Sequence, residues 1–245
     1  MEDTKQTLLQ FIKAHQGKVL GLGELYPFFR LLTGALYAEK RWVKRVEMCR
    51  VLGLEEGEEL TESVLEHTGI DIPLLGAVML GLEESNGTAD GLDPALLHLA
   101  FTIHDTAESL KGDVCFSQKT EKDEQEEADY FQLIISVLPP EARAYLQRAY
   151  DIAEERSEAV SRLRAPLSSI SKNARFFWAV ELVGYLMKAL FEAQKGKKAF
   201  VDVLREQAPD ILTLQEFHSF KVLVNPFLGE IGQEIANHPF YGLKK

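Results

Sequence analysis

The chain has 245 residues, 46% of them hydrophobic, which is enough for one packed domain with an appendage. Its formal net charge of −11, from 38 acidic and 27 basic residues, argues against broad nucleic-acid binding, because such binding depends on basic side chains that neutralise phosphates. No apolar run of about 18 residues is present and the N-terminus lacks the pattern of a secretory signal. We therefore expect no membrane-spanning helix and a cytoplasmic location.

Apolar residues recur at helical spacing along most of the chain, and no convincing run of alternating strand residues is present. The segment from Glu83 to Gly91 is expected to be a loop, and Asp113 to Asp123 is expected to be irregular. The pattern indicates an all-α fold, a single helical bundle with loops at one end. The predicted helices include residues 8–12, 25–36, 74–82, 94–111, 130–138, 142–153, 176–191, 200–204 and 217–224.

The domain organisation predicted from the sequence has three parts. No internal repeat and no long low-complexity linker divides the chain. We expect an N-terminal helical extension at 1–24 outside the core, a helical core at 25–200, and a C-terminal helical segment at 201–245 packed on that core. The apolar residues between Phe217 and Tyr241 could cover either the core or an interface.

Most of the residues able to do chemistry lie in one short segment, Phe101 to Asp113. The helix predicted from about Pro94 is apolar up to His104 and then presents polar side chains in quick succession. Glu108 follows His104 by four residues and Asp105 by three, so all three side chains can face the same end of the helix. An imidazole beside a carboxylate is a partial ligand set for a divalent cation.

The neighbouring residues could complete such a site. Gly112 is expected to end the helix, and Asp113 would then lie on a loop, free to turn back towards the others. His67 is the obvious candidate for a second imidazole. A lone histidine is usually structural, so it is the combination of these residues that indicates a metal site.

Four segments together resemble the HD-domain superfamily of metal-dependent phosphohydrolases, and most closely its 5′-deoxynucleotidase branch. Their order and approximate spacing agree with that family over roughly residues 25–200. The third segment resembles the family's HDxxE…GD signature and is the most specific of the four. The segments are Lys40-Arg41-Trp42, Thr61 to His67 (TESVLEH), His104 to Asp113, and Ala179 to Leu190 (AVELVGYLMKAL).

The resemblance implies an HD-domain helical bundle with its metal site between core helices. The implied ligands of one divalent metal cation are His67, His104, Asp105 and Glu181. Glu181 stands where the family normally has an aspartate, and its side chain is one methylene longer. Asp151 is an alternative carboxylate whose surroundings match the family less well. Which of Mn, Co, Mg, Fe or Zn is the native metal is left open.

The other site residues are implied in the same way. Glu108 and Asp113 resemble the family's acid/base and substrate-positioning carboxylates, with their individual roles left open. Arg41 would hold the phosphate, because a planar guanidinium matches phosphate oxygens with two parallel hydrogen bonds. Trp42 would pack against the sugar or base, and anchoring in the core is an equal alternative. Lys119 resembles a family residue that helps close the site, although a solvated helix face is favoured.

Three functions remain open at this stage. The resemblance favours a 5′-nucleotidase that releases phosphate from (deoxy)nucleoside 5′-monophosphates by attack of metal-activated water, so its partner would be a small nucleotide. A nucleoside triphosphate or alarmone hydrolase of the same superfamily would be expected to carry more basic residues around the site. A catalytically inactive HD-fold helical module is favoured only by Glu181 in place of aspartate. Relatives in this branch are often homodimers, so the resemblance also implies a homodimer.

Overall fold

The computed structural model describes residues 2–42, 62–114, 119–161, 169–197 and 200–237. The described residues form an all-helical structure without a β-strand, and an isolated antiparallel bridge pairs Lys40 with Ser63. The predicted all-α fold is therefore confirmed. The stretch 46–59, which does not match the family segments, lies outside the described residues.

Twelve α-helices lie within the described parts of the chain, numbered here in chain order. Three short turns of other helical types adjoin them: a π-helical turn at His67–Asp71 and 3₁₀ turns at Leu214–Glu216 and Asn225–Phe227. The helices are α1 Glu2–His15, α2 Leu22–Ala38, α3 Val64–Glu66, α4 Ile72–Asn86, α5 Pro94–Ile103, α6 Glu108–Lys111, α7 Glu121–Ile135, α8 Pro140–Ser161, α9 Lys172–Gln194, α10 Phe200–Thr213, α11 His218–Val224 and α12 Leu228–Ala236.

Several helix ends follow local sequence signals. Asp93 caps α5, because its Oδ1 accepts a hydrogen bond from the Leu96 amide at 3.0 Å, and Pro94 occupies the first turn. The loop predicted from Glu83 begins too early, since α4 continues to Asn86 and ends where Gly87 adopts a φ of 71°. The irregular segment predicted to reach Asp123 also ends early, because Thr120 caps α7.

The helix predicted to continue from about Pro94 to Gly112 is interrupted. α5 ends at Ile103, residues 104–107 form a turn, and the short α6 follows. In this turn the backbone hydrogen bonds span three residues, since the Thr106 amide donates to the Ile103 carbonyl at 3.0 Å. His104 and Asp105 therefore lie on a turn between two helices, and Gly112 ends α6 with a φ of 95°.

The buried side chains form two clusters that meet near this turn. The larger surrounds α9, whose sides pack against α4, α5, α8, α10, α11 and α12. The smaller joins α1, α2, α7 and the start of α8, and Ile103 packs against both clusters. Leu8 and Ile12 of α1 are fully buried in the smaller cluster, and the boundary predicted at residue 24 lies inside α2. The three-part division otherwise stays a prediction.

The stretch Val64–Asn86 is, among the described helices, the one that is long and apolar enough to cross a membrane by length and composition. Core helices of soluble proteins pass the same test, so this is weak evidence for a membrane span. The cytoplasmic location stays a prediction.

Candidate metal centre and its cavity

Four predicted ligands come from three separate elements and meet between the helices. His67 begins the π-helical turn after α3, and a capping box in which Ser63 and Glu66 exchange hydrogen bonds fixes the start of α3. His104 and Asp105 lie on the turn between α5 and α6. Glu181 lies in the middle of α9, where it is 3% exposed.

The ligand atoms of these residues face one another. His104 Nε2 lies 3.2 Å from Glu181 Oε1, and His67 Nε2 lies 3.5 Å from Glu181 Oε2. Asp105 Oδ2 lies 3.2 Å from His104 Nε2 and 3.9 Å from His67 Nε2. In His67, His104 and Glu181, one ligand atom from each residue lies within 4.8 Å of the others. The structure thus brings together all four residues that the family resemblance implies as ligands.

The donor set fits a divalent cation. His67 Nε2, His104 Nε2 and Glu181 Oε1 are buried and have no hydrogen-bond partner among the described residues, which is uncommon for buried polar atoms. Neighbouring ligands held at about 2.1 Å from one cation stand roughly 3.0–3.4 Å apart, close to most of the separations seen here. Two imidazoles with carboxylates suit several first-row metals, so the identity of the cation is undetermined.

The far side of each imidazole faces an oxygen acceptor. His104 Nδ1 lies 3.1 Å from the Phe101 carbonyl oxygen, which can only accept, so Nδ1 carries a proton and Nε2 is the nitrogen that faces the cluster. His67 Nδ1 lies 3.7 Å from Glu62 Oε1, and Lys188 Nζ lies 3.0 Å from Glu62 Oε2. Sequence reasoning missed Glu62 and Lys188, although Glu62 is part of the TESVLEH segment.

The cationic side chains of the cluster stabilise the charged forms of its carboxylates. Burial by itself would raise the pKa of Glu181, but His104 and His67 hold that pKa well below its usual value. Burial likewise opposes the charge of Asp105, yet His104 and Arg41 keep its pKa well below normal. Both carboxylates are therefore ionised at neutral pH, as a ligand to a cation must be.

Glu108 behaves differently from these two carboxylates. It begins α6, is 9% exposed, and its Oε2 has no hydrogen-bond partner among the described residues. Burial, together with the charges of Asp105 and Asp113, raises the pKa of Glu108 well above its usual value. A carboxyl whose pKa is raised in this way holds its proton more tightly than an ordinary glutamate, and it lines the cavity.

Arg41 reaches the cluster, while its predicted role in holding phosphate stays a prediction. Its side chain is buried, its Nη1 lies 2.5 Å from Asp105 Oδ2, and its Nη2 donates to the Tyr185 hydroxyl at 3.4 Å. The Trp42 ring lies beside Phe200 and Tyr185, with ring centroids 5.4 and 5.9 Å away. These contacts are those of a tryptophan that packs against the core. Such anchoring was one of the two roles predicted for Trp42, the other being a contact with the sugar or base.

Asp113 lies beside the backbone of Trp42. Its Oδ2 accepts a hydrogen bond from the Trp42 amide at 3.3 Å, and its own amide donates to Glu39 Oε1 at 3.0 Å. The Asp113 carboxylate thus turns back to the backbone next to Arg41. Its role as an acid/base or substrate-positioning residue stays a prediction.

A cavity of about 80 Å³ opens beside the cluster. Lys119 was expected on a solvated helix face, but it lines the cavity and pairs with Glu127, because α7 turns the inner side of its acidic run towards the site. Asp151, the alternative ligand, is exposed and bound by Gln147, so it does not take part. The lining residues are His104, Asp105, Ala107, Glu108, Lys119, Glu127, Ala153, Glu154, Phe177, Trp178, Glu181 and Tyr185.

Sequence reasoning missed the acidic and aromatic residues on the far wall of this cavity. Glu127 and Glu154 belong to helices that were predicted only from their apolar spacing, and the acidic run around Glu127 resembled a solvated surface. No role was predicted for Tyr185, which lies in the segment from Ala179 to Leu190. Nothing in a single sequence pairs these residues with His104, because the pairing depends on how α7, α8 and α9 pack.

Comparison of the chain with protein-family models gives no match, and a search of curated proteins gives none either. The resemblance to the HD-domain superfamily therefore stays a prediction, and the function has to be argued from the geometry of the site.

Proposed function

We propose that the chain is an HD-type metal-dependent phosphohydrolase that acts on nucleoside 5′-monophosphates. One observation carries the proposal: His67, the His104–Asp105 pair and Glu181, from three separate parts of the sequence, converge in a cluster with three buried polar atoms that have no hydrogen-bond partner among the described residues. Burial of such atoms is costly unless a ligand satisfies them. This argument also weighs against a catalytically inactive helical module.

The residues around the cluster have complementary roles in this proposal. A divalent cation held by the four ligands would polarise a phosphoryl oxygen and make water a nucleophile at neutral pH. Arg41 pairs with Asp105 at the edge of the cluster, where its planar guanidinium would offer donors to phosphate oxygens. Glu108 faces the same cavity and gives its proton to the leaving oxygen.

The size and charge of the cavity favour a monophosphate. A volume of about 80 Å³ corresponds to roughly two or three water molecules, so it holds a phosphoryl end while the rest of the substrate lies outside. Its far wall carries Glu127 and Glu154, and Lys119 is the one lysine or arginine among the residues that line it. Additional phosphates would be repelled there, which weighs against a triphosphate or alarmone substrate.

The test is phosphate release from nucleoside mono-, di- and triphosphates, each measured with Mn, Co, Mg or Zn and after chelation. We expect turnover of monophosphates that requires metal. Asp105→Ala and His67→Ala should each lower it on the order of a thousandfold, because each removes a ligand. Asp151→Ala is the matched control, since this exposed carboxylate lies outside the cavity.

Two other outcomes would change the proposal. Turnover confined to triphosphates would indicate instead a nucleoside triphosphate hydrolase of the HD type. A folded protein that binds no metal and releases no phosphate would be an inactive helical module. The homodimer implied by the resemblance stays a prediction, to be checked by sedimentation of the purified chain.

A further inference from the structure

Trp42 has an unusual backbone conformation for its residue type. Its φ is 70°, and it is the one residue other than glycine with a positive φ within the described parts of the chain. A bulky side chain in the left-handed region is strained, and such a conformation persists only where neighbouring contacts hold it. Trp42 directly follows Arg41, so contacts that hold the Trp42 amide also restrict the backbone from which the Arg41 side chain extends.

The two backbone amides that flank the Cα atom of Arg41 are both held by hydrogen bonds. The Arg41 amide donates to the Glu62 carbonyl at 3.1 Å, and the Trp42 amide donates to Asp113 Oδ2 at 3.3 Å. The first contact is part of the short bridge beside Ser63. The second depends on the position of Asp113, which is fixed by residues further away.

A chain of polar contacts runs from Asp113 to the N-terminal helix. The Asp113 amide donates to Glu39 Oε1 at 3.0 Å, and Glu39 Oε2 lies 2.5 Å from Lys5 Nζ on α1. The groups are partly shielded, since the side chains of Lys5 and Glu39 are 21% and 18% exposed. Lys5 therefore orients the carboxylate that orients Asp113.

Gly112 shows how closely these groups approach. Its φ is 95°, and a Cβ placed there would lie 3.1 Å from Lys5 Nζ and 3.2 Å from Glu39 Oε1. The backbone of this turn thus packs directly against the Lys5–Glu39 ion pair. Movement of that pair would move the turn and, with it, the Asp113 carboxylate.

We propose that Lys5, Glu39 and Asp113 form a relay that positions Arg41 for an anionic phosphoryl ligand. Asp113 is then a positioning residue, and helix α1 contributes to substrate binding from outside the cavity. The identity of the ligand rests on the proposed function. The relay itself rests on the contacts between α1, the end of α2, the Gly112 turn and Trp42.

The test uses two lysines on the same helix. Lys5→Met removes the first group of the relay, and Lys13→Met removes an exposed lysine of α1 with the same change in charge. In the metal-loaded full chain, Lys5→Met should weaken the binding of inorganic phosphate. It should also raise the KM for a monophosphate by about tenfold, because a small displacement of Arg41 weakens its hydrogen bonds to phosphate. Metal affinity should stay unchanged, Lys13→Met should match wild type, and Lys5→Arg should restore binding.

A double-mutant cycle separates positioning from a purely structural role. If Lys5 acts through Arg41, Lys5→Met should have no further effect on phosphate binding in an Arg41→Gln background. Lower thermal stability with unchanged phosphate affinity, or an undiminished effect in that background, would overturn the relay. A wild-type protein that binds neither metal nor phosphate would instead overturn the proposed function, together with the ligand assigned to Arg41.

Discussion

Glu62 shows how one side chain outside the cluster controls a ligand within it. Its carboxylate lies between His67 and Lys188, on the side of the His67 ring that faces away from the cluster, so it can help to orient that ring. Glu62→Gln keeps the size of the side chain but removes the charge. We expect metal to bind about tenfold to a hundredfold more weakly, as measured by equilibrium dialysis.

The control for this variant is Glu216→Gln. Glu216 pairs with Arg175 at 2.6 Å in the same manner but at a place outside the cavity lining. Equal metal affinity in Glu62→Gln and wild type would show that the Phe101 carbonyl and the packing around His67 are sufficient to hold the two rings.

Glu154 links the cavity to the pH dependence of stability. Burial, aided by the charge of Glu127, raises the pKa of Glu154 from 4.5 to about 7. The folded protein then binds this proton more tightly than the unfolded chain, so stability falls as the pH rises from about 4.5 to about 7 and is level above that range. Glu154→Gln should remove a pH-dependent contribution on the order of 2–3 kcal/mol.

Urea denaturation of both proteins at pH 5 and pH 8 measures this contribution. The free energy of unfolding of wild type should fall, relative to Glu154→Gln, between the two values. An identical pH dependence in both proteins would contradict the assignment. The exposed Asp151, one turn earlier on α8, provides a control as Asp151→Asn.

At the residue scale, the sequence motifs identified site residues, whereas contacts between residues far apart in sequence could not be predicted. His104 and Asp105 could be recognised because they lie side by side, and His67 because its segment has a family pattern. Lys188 and Tyr185 could not, since their roles depend on α9 packing against elements more than a hundred residues earlier. Glu181 was found only by matching the late helix to a family segment.

Helix packing sets a strict size limit where α4 crosses α5. A Cβ added at Gly76 would overlap the Phe101 ring, whereas one added at Gly81, on the same helix, meets nothing within 4 Å. Gly76→Ala should therefore destabilise the protein by about 1–3 kcal/mol, because the gain in helix propensity is smaller than the cost of overpacking. Gly81→Ala should stabilise it by up to about 1 kcal/mol.

The two variants form a matched pair for urea denaturation. They share the chemical change and the helix, and they differ in the space available to the new methyl group. If both raised stability, the close approach of α4 and α5 would not be as tight as the structure shows.

At the element scale, helix boundaries with capping residues were predicted well. The helix predicted from about Pro94 begins at that residue, where Asp93 caps it. The turn at residues 104–107 was not predicted, because local propensity favours an uninterrupted helix there. The ion pair between Arg41 and Asp105 joins residues far apart in sequence, and no periodicity encodes it.

For the whole molecule, a bound cation should act as a cross-link. Its proposed ligands come from the π-helical turn, the turn after α5, and α9, which are joined only through the folded core. Because the unfolded chain cannot hold the ligands together, a metal at a hundred times its dissociation constant should stabilise the protein by about 2.7 kcal/mol.

Thermal unfolding with and without added metal tests this expectation. The increase in Tm should disappear in Asp105→Ala and persist in Asp151→Ala. An equal increase in all three proteins would mean that the cation binds elsewhere.

The π-helical turn at His67–Asp71 amounts to one extra residue inserted in an otherwise regular helical path. Each residue of an α-helix rotates the side-chain direction by about 100°, so removal of one residue there would swing His67 away from Glu181. The buried face of α4 would keep its phase, since it follows the insertion. In this stretch the number of residues, as much as their identity, determines whether a cation site can exist.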